Sequence, residues 1–242
     1  MNLIVDQGNS FAKMALFRGD ELIRTTPAEQ LNATAITRFI SGEKIERVIL
    51  STVKRVQAET VQLLKSVSSH FLELDHTCRL PFRIDYRTPQ TLGKDRIAAV
   101  AGAWFQSPGS DILVIDAGTA ITFDFISAEA VYLGGNIAPG MTMRLKALNH
   151  FTDRLPLIDA TGETPFTGYD TETAIRAGVA QGMTFEISGY IDKWKESKPN
   201  LLVFLTGGDT FYFDRMLKRA IFADEFLVLK GLNRILNYNA EY

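Results

Sequence analysis

One short motif closes two apolar runs that lie 110 residues apart. Ile4-Val5-Asp6-Gln7-Gly8-Asn9-Ser10 aligns on its aspartate with Val114-Ile115-Asp116-Ala117-Gly118-Thr119-Ala120. Each copy is an apolar strand that ends in a carboxylate and turns through glycine, so backbone N–H groups can approach an anion with no Cβ in the way. Around each copy a strand meander is repeated. In the first half it covers residues 3–6, 12–17 and 21–25, with Gly19-Asp20 as a hairpin turn; in the second it covers residues 112–116, 121–126 and 131–134. A single offset that relates both the motif and the meander points to an internal duplication. The 242 residues leave room for two modest domains, and Ser107-Pro108-Gly109-Ser110 supplies the turn chemistry of a boundary. The expected division is residues 1–108 and 109–242.

The remaining elements follow from hydrophobic periodicity. Helical patterns cover residues 28–40 and 56–67, and the apolar run at 47–51 between them has the character of a buried parallel strand. Pro81 and Pro89 bracket a loop, after which residues 95–105 read as an Ala-rich helix. A short helix is expected after Pro139, a long one over residues 171–194, and a strand over 201–205. Helices near 211–220 and 230–238 and a strand around 225–229 complete the chain. On the long helix Ile175, Val179, Met183, Ile187, Tyr190, Ile191 and Trp194 form one stripe, which suits core packing or a subunit interface. Ala174, Gly178 and Gly182 leave room there for a close neighbour.

Composition narrows the partners. Lys and Arg number 26 against 28 Asp and Glu, with no basic run, which argues against a nucleic-acid partner. The N-terminus enters directly into Leu3-Ile4-Val5-Asp6, without a signal-peptide pattern, and no apolar stretch has the length of a membrane span. A soluble, cytoplasmic protein without a membrane partner is expected, and a single cysteine, Cys78, suits a reducing compartment. Three histidines and one cysteine do not make a zinc cluster.

The phosphate chemistry rests on the paired turns. Gly8, Asn9 and Ser10, with Lys13 beyond the turn, supply donors in the first half; Gly118, Thr119 and Thr122 do so in the second. Two such loops can clamp a triphosphate in a cleft between domains. Asp6 and Asp116 would then be directed at Mg²⁺, largely through water, because Mg²⁺ keeps much of its hydration shell. Neither G-x-x-x-x-G-K-[ST] nor G-x-G-x-x-G after a strand occurs, so P-loop and Rossmann binding are not indicated, and the protein-kinase signature set is absent. Gly207 and Gly208, in Thr206-Gly207-Gly208-Asp209, permit close approach to a base or sugar, although Asp209 also suits a helix cap. Gly93-Lys94-Asp95-Arg96 opens the Ala-rich helix. There Asp95 either complements the helix dipole or takes a proton from an attacking hydroxyl, and Arg96 either is a surface charge or anchors a polar or anionic acceptor. Gly134-Gly135-Asn136-Ile137-Ala138-Pro139-Gly140 reads as a pocket wall or as a tight strand-to-helix connection.

Taken in order, these segments resemble type III pantothenate kinase, a family of the acetate and sugar kinase, heat-shock 70 and actin superfamily. The resemblance runs over almost the whole chain. It rests on Asp6-Gln7-Gly8-Asn9-Ser10, Tyr86 to Gly93-x-Asp95-Arg96, Asp116-Ala117-Gly118-Thr119-Ala120-Ile121-Thr122, Gly134-Gly135-x-Ile137-x-Pro139-Gly140, Thr171-x-x-Ala174 and Thr206-Gly207-Gly208-Asp209. It implies an α/β fold of duplicated ribonuclease-H-like domains, with mixed sheets flanked by helices and an interdomain nucleotide cleft. The implied reaction is phosphorylation of pantothenate by ATP to 4'-phosphopantothenate, the first step of coenzyme A biosynthesis. By the same resemblance Asp95 is the catalytic base, and Tyr86, Gly93, Lys94, Arg96 and Thr171 join it in binding the acceptor. Asp6, Gln7, Gly8, Asn9, Ser10, Lys13, Gly118, Thr119, Thr122, Gly207 and Gly208 bind ATP, with Asp6 and Asp116 at the metal. The family also implies a monovalent cation, K⁺ or NH₄⁺, and a homodimer to whose acceptor pocket the partner subunit contributes Thr171. Two positions depart from the family pattern: Ser10 replaces the usual Thr, and Asp170 stands where Asn is frequent. A kinase or phosphohydrolase with another substrate, or a regulatory relative, are the rival readings.

Overall fold

A computed structural model describes residues 1–9 and 11–240; Ser10 of the first turn lies outside the described residues. The chain divides into two units. The first comprises residues 1–109, 126–134 and 226–242, and the second residues 110–125 and 135–225.

In the first unit the opening meander forms as the apolar runs and turn chemistry predict: β1 (Asn2–Gln7), β2 (Ala12–Arg18) and β3 (Glu21–Ala28). β1 pairs antiparallel with β2 and β2 with β3. On its other edge β1 pairs in parallel with β4 (Arg47–Thr52), and β4 with β5 (His70–Glu73), giving the order β3-β2-β1-β4-β5. Helices α1 (Ala33–Ile40) and α2 (Ala58–Ser66) lie before and after β4 in the chain. α1 begins where the Asn32 side chain accepts from the Ala35 N–H at 2.9 Å, satisfying one of the donors a helix start leaves open. Leu3, Val5, Leu16, Ile36, Val48, Leu50 and Leu64 share one buried core. A two-residue strand, β6 (Arg83–Ile84), is followed by α3 (Lys94–Gln106).

The chain returns to this unit at its end. Residues 225–229, expected as a strand, instead lead into α7 (Leu227–Ala240). The run Phe226-Leu227-Val228-Leu229 is too short to separate strand from helix by periodicity. What decides is that Leu227, Leu232, Ile235 and Leu236 are buried on one helical face, while amides anchor the helix to the first strand. Asn2 donates to the side-chain oxygens of Asn233 and Asn237, both at 2.8 Å, and Asn233 donates to the Gly19 carbonyl at 2.8 Å. α7 crosses α3 so closely that a Cβ on Gly231 would stand 1.8 Å from the Ala98 carbonyl oxygen.

The second unit repeats the arrangement. β7 (Ile112–Ala117), β8 (Ala120–Ser127) and β9 (Val131–Pro139) correspond to the first meander, and β10 (Leu202–Thr206) pairs in parallel with β7. β11 (Phe222–Ala223) extends one edge in parallel and β6 the other, giving the order β11-β10-β7-β8-β9-β6, whose first five strands are the counterpart of the first sheet. α4 (Met141–His150), α5 (Thr171–Ser197) and α6 (Thr210–Leu217) complete it. β9 runs through Gly134-Gly135-Asn136-Ile137-Ala138-Pro139, so the strand expected over 131–134 extends five residues further and the strand-to-helix connection is reduced to Gly140.

The stripe on α5 is core. Ile175, Val179, Met183, Ile187 and Ile191 pack with residues of β7, β8 and β10, and Tyr190 and Trp194 stack on Phe123 and Phe125 at centroid distances of 4.0 and 3.9 Å. The opposite face is open: Cβ atoms added at Gly178, Gly182 or Gly189 would meet nothing within 4 Å, and Phe185 is exposed. Among the described residues no helix is long and apolar enough to cross a membrane.

Two glycine-to-alanine changes therefore have opposite signs. Gly231→Ala drives a methyl into the α3 backbone and is expected to cost ~1–3 kcal/mol through overpacking. Gly189→Ala lies in open space within a helix and is expected to be neutral or stabilising by up to ~1 kcal/mol. Urea unfolding midpoints at constant m-value measure both; a destabilised Gly189→Ala or an unaffected Gly231→Ala contradicts this packing.

Candidate active site

In each unit the candidate aspartate and its turn lie at the C-terminal end of a strand paired in parallel with a neighbour, where backbone N–H groups are no longer consumed by the sheet. In the first unit Asp6 ends β1 with Lys13 opposite it on β2 and Ser51 opposite it on β4. Gly8 closes the turn by donating its N–H to the Phe11 carbonyl at 3.1 Å, and the Gln7 carbonyl accepts from Val53 at 3.1 Å. Gln7 is buried, whereas Asn9 is exposed in the turn.

The Asp6 carboxyl is raised from 3.8 to about 6. Burial is the main cause; the Asp95 carboxylate raises it further, while the Ser51 hydroxyl hydrogen-bonds to it and Lys13 attracts it, both lowering it. The interaction places Asp95, from the start of α3, within the field of the β1 aspartate. Ser51 has no motif around it. Its role depends on the β1–β4 register, which strand periodicity alone does not give.

Asp95 sits in the first turn of α3 and is exposed. One of its carboxylate oxygens accepts from the Arg96 N–H at 2.9 Å. The same oxygen would lie 2.5 Å from a Cβ on Gly93, so glycine two residues earlier is a condition for this carboxylate position. Arg96 is buried, and its guanidinium lies over the Tyr86 ring, 5.9 Å from the centroid. Asp6, Lys13, Asp95, Arg96 and Tyr86 thus belong to one unit, with Gly93 and Lys94 at the helix start that carries Asp95.

In the second unit Asp116 ends β7 beside Thr206 of β10. Gly118 donates to the Ala120 carbonyl at 3.1 Å, and Asp209 N–H donates to the Ala117 carbonyl at 3.0 Å, tying the glycine pair of residues 207–208 to the aspartate turn. Gly207 has φ +99, and a Cβ there would come within 2.5 Å of the Asp116 carboxylate and of the Ala117 backbone. The Thr206 hydroxyl is fully buried and has no hydrogen-bond partner, a polar group of the kind that a bound ligand or water satisfies. Asp209 makes no side-chain cap to α6, and burial raises its carboxyl. The helix start is instead tied by Thr210, whose hydroxyl donates to the Gly207 carbonyl at 2.6 Å.

Thr119 follows in the turn, and its carbonyl accepts from Gly140 at 3.2 Å. The Thr122 hydroxyl is buried and donates to the fully buried Asp124 at 2.9 Å, a partner that the sequence did not flag. Thr171 is exposed at the first turn of α5, beyond the strand ends that gather the other residues. Asp170 before it accepts from the Thr173 N–H at 2.8 Å, and the Thr173 hydroxyl accepts from the Asp170 N–H at 3.1 Å, a reciprocal cap. The hydrogen bond from the Thr173 backbone, followed by that from its hydroxyl, holds the Asp170 carboxyl below its ordinary value. The carboxylate is therefore occupied at the helix end.

Taken separately, the desolvated Asp6 carboxylate beside the Ser51 hydroxyl, and the Asp116 carboxylate beside Gly207 and the unsatisfied Thr206 hydroxyl, each have donor chemistry that suits a hydrated divalent cation carried by a polyphosphate. Among the described residues there is no group of three or more His, Cys, Asp and Glu side chains that could enclose a metal. Mg²⁺ needs no such cage, because it keeps several waters and is bound through one or two carboxylates and substrate phosphates.

The profile of the type III pantothenate kinase family matches residues 2–193. A type III pantothenate kinase of Phocaeicola vulgatus is 52% identical over 239 residues, covering 99% of each chain. The chain belongs to the type III pantothenate kinase family. A solved structure from Campylobacter jejuni, put forward as a Baf family transcriptional activator, is 25% identical with a TM-score of 0.65 over 99% of this chain and 100% of that one. A ROK family glucokinase from Streptomyces griseus, solved with glucose and AMPPNP, has a TM-score of 0.53 at 10% identity, covering 100% and 99% of the two chains, and shows the fold alone. This is the duplicated actin-like ATPase fold. As a kinase the protein uses ATP and a divalent metal.

The Asp6 environment carries a pH signature in the ligand-free protein. The folded-state value of about 6 exceeds the unfolded one of 3.8, so the folded state binds more protons between them. Stability from this group is thus highest below pH 4, falls as pH rises through that window, and carries its full cost, roughly 2–3 kcal/mol, above pH 6. Asp6→Asn removes the charge and is expected to raise the urea midpoint at pH 7.5, with the advantage shrinking towards zero at pH 4. An equal change at both pH values contradicts the burial of this carboxylate.

Proposed function

We propose that the protein phosphorylates the primary hydroxyl of pantothenate with ATP, giving 4'-phosphopantothenate, the first step of coenzyme A biosynthesis. The observation that carries the reading is the meeting of two carboxylates in the first unit: Asp6 at the phosphate turn lies in the field of Asp95, the aspartate of the Gly-x-Asp-Arg segment. The nucleotide's phosphates engage the turn of each duplicated half, residues 1–108 and 109–242. Gln7, Gly8, Asn9, Ser10 and Lys13 serve one half, and Gly118, Thr119 and Thr122 the other, while Gly207 and Gly208 receive the adenosine. Asp6 and Asp116 hold Mg²⁺, which neutralises charge on the phosphates when bound.

Asp95 accepts the proton of the acceptor hydroxyl as its oxygen bonds to the γ-phosphorus and the bond from that phosphorus to the bridging oxygen breaks, releasing ADP. Its exposure leaves it accessible to substrate and to the solvent that later takes the proton. Arg96 and Tyr86 bind the acceptor, with Gly93 and Lys94 at the turn that sets Asp95. A monovalent cation, K⁺ or NH₄⁺, assists nucleotide binding. The working form is a homodimer, which the uncovered α5 face with Gly178, Gly182 and exposed Phe185 supports, and Thr171 enters the partner's acceptor pocket. The enzyme acts in the cytoplasm, where Cys78 stays reduced.

An ADP-coupled assay with purified protein, MgATP and K⁺ tests the substrate. Pantothenate is expected to give ADP well above background, while glucose and N-acetylmannosamine do not. ADP release with a sugar and none with pantothenate refutes the assignment. Replacement of K⁺ by Na⁺ is expected to raise the KM for ATP; superimposable saturation curves refute the cation requirement.

A further inference from the structure

Tyr86 owes its position to an adjoining strand. Arg83 and Ile84 of β6 pair in parallel with Val131 and Tyr132 of β9, and the Asp85 N–H donates to the Tyr132 carbonyl at 2.8 Å. Continuing this register by two residues sets Tyr86 beside Gly134. A Cβ built on Gly134 would lie 3.3 and 3.5 Å from Cδ2 and Cε2 of the Tyr86 ring. Gly134 also has φ +110, which side-chain-bearing residues rarely adopt. Tyr132, 1% exposed, lies at 6.2 Å from the Tyr86 ring with an interplanar angle of 51°, and the buried Arg96 guanidinium lies over that ring.

An aromatic ring over a strand glycine is by itself a packing device. This ring is different, because Tyr86 is only half-buried and stands against Arg96, the residue after Asp95. Part of its surface stays open while its ring is fixed from the strand side. We propose that Gly134 and Tyr132 are positioning residues for the acceptor: together they fix the Tyr86 ring against Arg96, and so set affinity for the phosphoryl acceptor and not for ATP. The inference rests on the reading of Tyr86 and Arg96 as acceptor contacts. Gly134 acts through its missing side chain, since a methyl group there would press on the ring at 3.3 Å and shift it by a few tenths of an ångström, on a backbone whose φ of +110 already disfavours a side chain. Tyr132 acts by filling the space beside it. Displacements of ~0.5 Å are enough to spoil a binding constellation.

Steady-state kinetics of Gly134→Ala, Tyr132→Leu, Tyr86→Ala and the double variant Gly134→Ala/Tyr86→Ala test this, with pantothenate and ATP varied in turn. Gly134→Ala and Tyr132→Leu are each expected to raise the KM for pantothenate ~10-fold or more while the KM for ATP changes less than ~2-fold. In the Tyr86→Ala background, Gly134→Ala is expected to add less than ~2-fold, because both act through the same ring. Should Gly134→Ala fail to fold, Tyr132→Leu, which leaves the Gly134 backbone untouched, decides by the same split.

Multiplying effects in the double variant, or equal rises in both KM values, overturn the proposal. If Tyr86→Ala raises the pantothenate KM while Gly134→Ala and Tyr132→Leu do not, the positioning role fails and the acceptor reading stands. If Tyr86→Ala itself leaves that KM unchanged, the acceptor reading of Tyr86 fails and the positioning role with it.

Discussion

The Asp6 carboxylate, held at the end of β1 against the Ser51 hydroxyl and within the field of Asp95, is the constraint on which the first unit depends. Burial raises its pKa to about 6, so a bare carboxylate there is costly near neutrality. A protein that selected only for stability would place a neutral residue in this position. On the proposed reading a cation offsets that charge during the working cycle, and the Mg²⁺ carried by ATP would be that cation. Strain of this kind is expected at a site that must bind charge, and the cost is returned when the ligand arrives.

The rest of the unit delivers groups to that carboxylate. Parallel pairing of β1 with β4 places Ser51 beside Asp6, and antiparallel pairing with β2 places Lys13 on the other side. The amides of Asn2, Asn233 and Asn237 fix α7 to the start of β1, and the close α3–α7 crossing at Gly231 holds the helix whose first turn carries Asp95. A defect in helix packing can therefore reach the chemistry through α3. The second unit uses the same topology with a different set of donors: a glycine pair lies against Asp116, and a buried hydroxyl waits at Thr206.

Much of this was legible in the sequence because it is written in short-range chemistry. Strand-Asp-x-Gly turns, strand meanders, the α5 stripe and the Gly-x-Asp-Arg helix start are each set by residues close in the chain. Three kinds of feature were not. Ser51 and Thr206 matter through strand register, which no local pattern encodes, and Asp124, two residues from Thr122 on the same face of β8, carries no motif of its own. The strand expected at residues 225–229 was an apolar run too short for its period to decide, and long-range packing onto α3 and the amides of β1 made it helix. The Gly134-Gly135 segment read from its glycines as a pocket wall or a tight strand-to-helix connection, and the strand instead continues through it. Here glycine serves close approach within a strand: a Cβ on Gly135 would meet the Phe123 carbonyl oxygen at 2.1 Å. The alternative reading of Asp209 as a helix cap fails, because its side chain makes no cap bond.

The central claim is that Asp95 takes the proton from the acceptor hydroxyl beside the Asp6 phosphate turn. Single-turnover transfer from γ-labelled ATP to pantothenate by Asp95→Asn, with nucleotide affinity measured on the same preparation, tests it most directly. Transfer is expected to slow by ~10²- to 10⁴-fold, the usual contribution of a general base, with ATP binding largely retained. Transfer at a near-normal rate by Asp95→Asn would contradict it.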